Sequence, residues 1–283
     1  MTLAIDPFTE ACLEEARLLL LDGNPTTDRL YRFWFHRETG RQVLWPTESA
    51  YRAAILRPDR FENGWRVLQI ADSPAGAVVA MRGGRRRVVA PPEMFPDDPR
   101  CLAPNRGAVL RVHPLTSGES GGFWHIWSAG WQASPPQRLQ RFYFRAERGR
   151  ALDLALRVVD TAPARQTWAF KIQCGRHDSG RRDGALLYLP VETAGSSEWV
   201  CDLIKRASEL CQDDLPPFVN RVAPGIGHAP DPGGERSFGQ ALCAAIASVA
   251  STASDPEQFV AAAKTAVGEL PGMKSRAKWE VAS

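Results

Sequence analysis

The sequence predicts an α+β fold: a helical N-terminal segment, a central antiparallel meandering sheet, and C-terminal helices packed on it. Three observations lead there. Residues 8–56 and 238–267 place apolar side chains mainly at helical spacing. Between them run short β-prone stretches parted by Gly, Ser and Pro. The chain has 283 residues, 44% hydrophobic and 24% charged, which is ordinary globular material with length enough for a sizeable core. The expected division is a helical segment over 1–60 and an α+β domain over 61–283, which can also form one continuous domain.

The elements follow in order. Residues 8–21 read as a helix behind a Thr9 cap, ended by Gly23-Asn24-Pro25. A second helix covers 27–36, with Leu30, Phe33 and Trp34 on one face. A third starts at Thr47 and runs to Leu56, before Pro58. Strands are expected at 65–70 and 77–81, joined by the turn 73–76, and at 85–89. Residues 91–107, with five prolines, read as a loop. Residues 109–112, 123–127 and 141–145 read as strands, split by a Gly/Ser turn over 117–122 and by Pro135-Pro136. A helix over 149–161 follows. Strands at 166–173 and 185–189 flank a polar loop, 175–183. A helix over 199–210, a Pro/Gly-rich loop over 215–234, and helices over 238–252 and 256–267 complete the chain.

Composition narrows the function. No apolar run approaches the roughly 18–20 residues of a membrane helix. The first residues are acidic where a secretory signal is basic. None of the six cysteines forms a C-x-x-C pair, and the spacing of Cys174 and His177 has no second pair beside it. Reduced thiols in a cytoplasmic protein fit this better than a zinc site. The net charge of +3 is too small to point to nucleic acid, and neither nucleic acid nor membrane is an expected partner.

Lysine is scarce. There are five, and Lys171 is alone in the first 204 residues. It lies in an apolar run, Phe170-Lys171-Ile172, followed by Gly175-Arg176-His177-Asp178-Ser179-Gly180-Arg181-Arg182-Asp183. Desolvation favours the neutral form of a lysine, and a neutral lysine serves as a general base. The neighbouring arginines present planar forks that suit phosphate. The plainer alternative is a solvated loop with Lys171 paired to Asp183. Arg141, Tyr143 and Arg145 share one face of a strand by the period of two. They read as an anion-holding row or as a polar outer face.

Three other features carry less. Gly225-Ile226-Gly227 lacks the continuation of a phosphate loop. Ser237 is a good helix cap, and that helix N-terminus can attract an anion. His36, His113 and His125 read as packed or surface histidines, and Arg85-Arg86-Arg87 as a solvated run beside a turn. Trp124, Trp127 and Trp131 read either as core or as the lining of a peptide groove.

The order of motifs resembles the HopA-type effector-like family. The residues that carry it are Asn63-Gly64-Trp65-Arg66-Val67, Arg141-Phe142-Tyr143-Phe144, Phe170-Lys171-Ile172, Arg181-Arg182-Asp183-Gly184-Ala185-Leu186-Leu187-Tyr188, Pro217-Phe218, Pro224-Gly225-Ile226-Gly227 and Ser237-Phe238-Gly239. The resemblance spans roughly 50–252. It departs from the family pattern at Arg145, Pro230 and Leu242. It implies the lyase component of class V lanthipeptide and thioamitide biosynthesis. Such a lyase eliminates phosphate from phosphoserine or phosphothreonine of a precursor peptide, leaving dehydroalanine or dehydrobutyrine. A separate kinase-like protein supplies the phosphate. In that reading Lys171 is the base, and Arg181 and Arg145, then Arg141 and Arg182, bind phosphate. Tyr143 and His177 are candidate proton donors, and Asp183 orients an Arg or the Lys. The elimination calls for no metal or organic cofactor. The alternative is a non-catalytic phosphopeptide- or kinase-binding protein.

Overall fold

In a computed structural model the chain is described over residues 5–21, 26–36, 38–71, 76–96, 104–133, 136–179, 181–194, 197–233, 236–250, 252–253 and 255–273. The helices are α1 (Pro7–Leu21), α2 (Thr27–Tyr31), α3 (Glu48–Ile55), α4 (Ala129–Ala133), α5 (Ala151–Thr161), α6 (Val191–Ala194), α7 (Glu198–Ala207), α8 (Phe238–Ala250) and α9 (Pro256–Gly268). The strands are β1 (Glu38–Leu44), β2 (Glu62–Ile70), β3 (Val78–Arg82), β4 (Arg85–Val89), β5 (Met94–Pro96), β6 (Val109–Val112) and β7 (Thr116–Ser120). They continue with β8 (Phe123–Trp127), β9 (Leu139–Phe144), β10 (Ala169–Gln173), β11 (Arg176–Ser179), β12 (Ala185–Pro190), β13 (Asn220–Ala223) and β14 (Ile226–Pro230). The fold is α+β with helices at both ends.

Caps set the helix starts. Thr26 accepts from Arg29 N–H, Thr47 from Ala50 N–H and Asp255 from Gln258 N–H. At α1 the cap is Asp6 and not Thr9: its carboxylate accepts the Thr9 amide and hydroxyl at 2.8 Å each. A carboxylate there also suits the positive end of the helix dipole.

Among the described residues the strands form three antiparallel sheets. The larger has the order β13-β14-β9-β12-β10-β8-β7, the smaller β4-β3-β2-β6-β5, and β1 pairs with β11 as a ribbon. Four stretches expected as turns or loops are therefore strands. Residues 117–122 hold most of β7 and only a two-residue Gly121-Gly122 turn. The polar loop 175–183 holds β11, and 91–107 holds β5. The stretch 215–234 holds the β13–β14 hairpin. The segment 38–44, unassigned from sequence, is β1. The expected turn 73–76 and Pro135 lie largely outside the described residues.

The larger sheet sorts its residues by parity. Trp124, Ile126, Phe142, Phe144, Phe170, Ile172 and Leu187 point to one face and pack with Tyr51 and Ile55 of α3, Leu154 and Val158 of α5, and Leu203 and Ile204 of α7. On the other face Tyr143, Leu186 and Ala229 pack under α1, α2, α8 and α9, with Leu13, Leu30, Leu242 and Phe259. The smaller sheet has its own core around Trp65, Val67, Val78 and Leu110. The first helices are thus divided: α1 and α2 join the C-terminal helices, and α3 joins the middle ones.

Candidate functional site

The second face of the larger sheet is covered by helices at its β9–β14 end. Towards β8 it carries half-buried polar and aromatic groups instead. Register fixes which side chains share this face. Lys171 of β10 lies opposite His125 of β8 on one side and Leu186 of β12 on the other. Tyr188 lies opposite Ala169 and Arg141, and Tyr143 opposite Leu186. Lys171 of β10, Tyr188 of β12, and Arg141 and Tyr143 of β9 therefore come to one surface from three strands.

Lys171 is held by rings. Its Nζ sits 4.4 Å from the centre of the Phe123 ring and 6.0 Å from that of Tyr188. Among the described residues it makes no hydrogen bond or ion pair. The ring of His125 stacks on Trp127 at 5.4 Å. Burial, and then the charge of Lys171, holds this imidazole below its ordinary pKa. It is therefore neutral at neutral pH.

The segment after β11 supplies the second half. Arg181 donates Nε to Asp183 Oδ1 at 2.7 Å and Nη2 to Oδ2 at 2.8 Å. Its Nη2 also donates to the Tyr31 hydroxyl at 3.1 Å, which in turn donates to Asp183 Oδ2 at 3.3 Å. The guanidinium lies 5.1 Å from the Phe123 ring, on the ring that Lys171 also uses. Burial alone drives the Asp183 carboxyl upward, but the hydrogen bonds and charge of Arg181, with a contribution from Lys171, hold it below the usual carboxylate range. Burial and the adjacent Asp183 push the Tyr31 phenol well above its ordinary value. The pair is thus a fixed ion pair with a protonated tyrosine locked onto it. Arg181 Nη1 is not used in these bonds.

Arg141 is held in the same way. Its Nε and Nη2 donate to Asp231 Oδ2 at 2.8 and 2.7 Å, and its guanidinium lies 5.3 Å from the Tyr188 ring. Tyr143 is fully buried, and burial raises its phenol despite the lowering charge of Arg141. Arg145 and Arg182 sit elsewhere, converging on Asp214: Arg182 Nη2 at 2.9 Å and Arg145 Nε at 3.8 Å. Arg145 also donates to the backbone oxygen of Arg181 at 2.8 Å, and the Arg182 amide donates to the Phe35 carbonyl at 2.9 Å. These two arginines anchor the segment that presents Arg181. His177 lies in β11 opposite Val43, and its side chain is outside the described structure.

The other candidates resolve into structural parts. Gly225 is the turn of the β13–β14 hairpin, with φ +64 and its carbonyl bonded to the Arg145 amide; a Cβ there would strike Cys211 and Gln212. Pro224-Gly225-Ile226-Gly227 is thus a tight turn and not a phosphate loop. Ser237 Oγ accepts from Gln240 N–H at 3.2 Å while Gln240 returns a bond to the Ser237 amide at 2.8 Å, so the α8 N-terminus is closed by its own cap. Arg87, expected in solvent, is buried: it pairs with Glu93 and donates to the His113 carbonyl and to Thr116. Trp124 belongs to the apolar core. Local sequence does not single out Tyr31 or Phe123; it reads His125 as a packed or surface histidine and names Tyr188 only as the end of the motif that starts at Arg181.

The family model described as the HopA1 effector protein family matches residues 120–266, just over half of the chain. No curated protein matches it. Among solved structures, the effector protein from Pseudomonas syringae pv. tomato strain DC3000 matches with a TM-score of 0.54 at 14% identity, over 92% of each chain. The effector protein from Pseudomonas syringae pv. syringae strain 61 matches with a TM-score of 0.53 at 15% identity, over 93% of each chain. At that identity the likeness is one of fold. The matched segment contains Phe123, His125, Arg141, Lys171, Arg181, Asp183 and Tyr188; Tyr31 and the smaller sheet lie before it.

Proposed function

The chain belongs to the HopA1 effector protein family, and from that premise we propose that it is a lyase that eliminates phosphate from phosphoserine or phosphothreonine of a kinase-phosphorylated precursor peptide. The product is dehydroalanine or dehydrobutyrine, as in ribosomal peptide natural-product biosynthesis in the cytoplasm. The observation that carries this reading is Lys171: an amine on an open sheet face, held by two rings, beside an arginine whose orientation is fixed.

The reaction divides among these groups. Lys171 Nζ, in its base form, takes the Cα proton. The electron pair left at Cα forms the Cα=Cβ bond as the Cβ–O bond breaks, and phosphate departs with that bond's pair. The leaving group carries about −1.5 to −2 charges. Arg181 meets it with Nη1, since Asp183 and Tyr31 occupy its other edge. Arg141, clamped by Asp231, lies across the Tyr188 ring as the second cation. Arg145 and Arg182 act one step back, by holding the Arg181 segment. Tyr143 is buried beneath the helices, which withdraws it as the donor and leaves His177 as the candidate donor to the leaving oxygen.

The phosphate is installed by a separate kinase-like protein. α1 and α2 bury Leu13, Leu20 and Leu30 in the core, so that partner is expected to meet surface away from their packed faces. Incubating the chain with a synthetic phosphothreonine peptide tests the reading by mass spectrometry. Loss of phosphate by the parent, and a persisting, still-bound phosphopeptide with Lys171→Ala, support it. Elimination by Lys171→Ala at the parental rate removes Lys171 as the base. Binding without elimination by the parent leaves the phosphopeptide-binding alternative.

A further inference from the structure

Beside the site runs a groove of about 790 Å³ between the two larger sheets. Its floor and walls include Trp127 and Trp131 from one side and Trp65, Arg85, Arg86 and Val88 from the other. Two aromatic contacts join it to the candidate site. Trp127 stacks on His125, the register partner of Lys171. Trp131 meets the edge of Tyr188 at 6.4 Å, and the Tyr188 ring is 6.0 Å from Lys171 Nζ.

The β4 wall is unusual. Four consecutive residues, Arg85 to Val88, border the groove. Alternation turns neighbouring side chains to opposite faces, so the groove reaches both faces of β4 around its outer edge, and on one face it runs inward to Trp65 of β2. β4 closes its sheet, pairing among the described residues with β3 alone. Val88 is 60% exposed, a large apolar side chain on an open edge. The charge is one-sided. Arg87 is neutralised by Glu93, and Arg85 lies over Trp65 with Glu62 at 3.6 Å. Arg86 makes no ion pair among the described residues.

We propose that this groove docks an extended, acidic stretch of the substrate peptide, which adds to β4 as a further antiparallel or parallel strand. The inference rests on the lyase reading for the identity of that peptide. Backbone groups of β4 hold the main chain, Arg86 and Arg85 take its carboxylates, and its apolar side chains lie on Val88, Trp127 and Trp131. The reacting residue then reaches Lys171 past His125. Arginines and tryptophans also suit a single-stranded nucleic acid. An open strand edge bordering the groove favours a peptide, because it offers amide and carbonyl partners in a peptide's own repeat.

The test uses the full chain and a fluorescent, unphosphorylated peptide of alternating glutamate and valine, read by anisotropy. The proposal expects binding, weakened about tenfold or more by Arg86→Glu, by replacing the glutamates with lysine, and by N-methylating alternate peptide amides. No binding, indifference to N-methylation or to charge reversal, or tighter binding of an oligothymidylate overturns it. Fusing the acidic stretch to a phosphothreonine peptide is expected to lower KM about tenfold at unchanged kcat, and Arg86→Glu to cancel that gain. A short phosphopeptide without the stretch reads elimination alone. Failure there with intact docking rejects the lyase reading, and elimination with an unchanged KM for the fused peptide rejects the docking.

Discussion

The two faces of the larger sheet come from the same strands, and their difference is one of parity. Trp124, Ile126, Phe170 and Ile172 lie on one face, at most 1% exposed. Phe123, His125, Trp127 and Lys171 alternate with them and face the cleft. One face stores cohesion in apolar contact. The other holds ionic groups whose geometry is fixed by pairing. A single-residue step along β8 or β10 crosses from one to the other. Stability and chemistry should therefore separate cleanly under mutation.

The sharpest break is Lys171→Ala, which should reduce elimination by roughly 10²–10⁴-fold, the usual worth of a positioned base. The melting temperature should hardly move, because Lys171 makes no ion pair among the described residues. A variant that instead unfolds at lower temperature would place Lys171 in the structural face. Trp124→Ala reverses the pattern. Its ring stacks on Tyr51 at 5.1 Å in a dry core, and deleting it should cost about 3–5 kcal/mol in urea unfolding. The fraction that remains folded should keep the parental KM.

Arg181→Ala tests the ion pair on the site face. Loss of a charged hydrogen bond to phosphate should lower kcat/KM by about 1.5–3 kcal/mol of transition-state binding. Arg181→Lys should not restore it, since an ammonium cannot span both Asp183 oxygens and still present a free edge. Full rescue by lysine would mean that charge alone suffices.

The smallest effect concerns acid. His113 is buried beside Arg87 in the smaller sheet, and burial pushes its imidazole down to about 4. Its Nδ1 accepts the Leu115 amide. Between about 6.5 and 4 the unfolded chain binds a proton that the folded chain refuses, so stability falls as pH drops through that window. His113→Gln should flatten this limb in a pH series of melting temperatures. Asp183, held below the usual carboxylate range by Arg181, adds its own loss only at lower pH.

Much of this was legible in the residues, and the remainder was hidden for identifiable reasons. Helices announced themselves by apolar spacing, and α8 also by its cap Ser237, whereas at α1 the sequence points to Thr9 and the cap is Asp6. Strands β8, β10 and β12 announced themselves by apolar runs. β7, with Thr116-Ser117-Gly118-Glu119-Ser120, has no apolar alternation and owes its pairing to β8. β14 contains Gly227 and Pro230, yet β9 and β13 clamp it from both sides; a Cβ on Gly227 would strike Val219. Lys171, Arg181 and Asp183 stood close in sequence and are close in space. Tyr31 and His125 join them through pairing and packing that no local window contains.

The tie between Tyr31 and Arg181 spans 150 residues, and the Phe35 carbonyl binds the Arg182 amide beside it. α1 and α2 meanwhile rest on α8 and α9. A nascent chain emerges from its N-terminus, so the first helices leave the ribosome long before the surfaces that receive them. Contacts of such sequence separation form late and slowly. The apolar stripe Leu13-Ala16-Leu20 therefore has no partner until α8 and α9 have been made. Asp183 can orient Arg181 from two residues away, but the Tyr31 bond that completes the clamp forms only once α2 has docked.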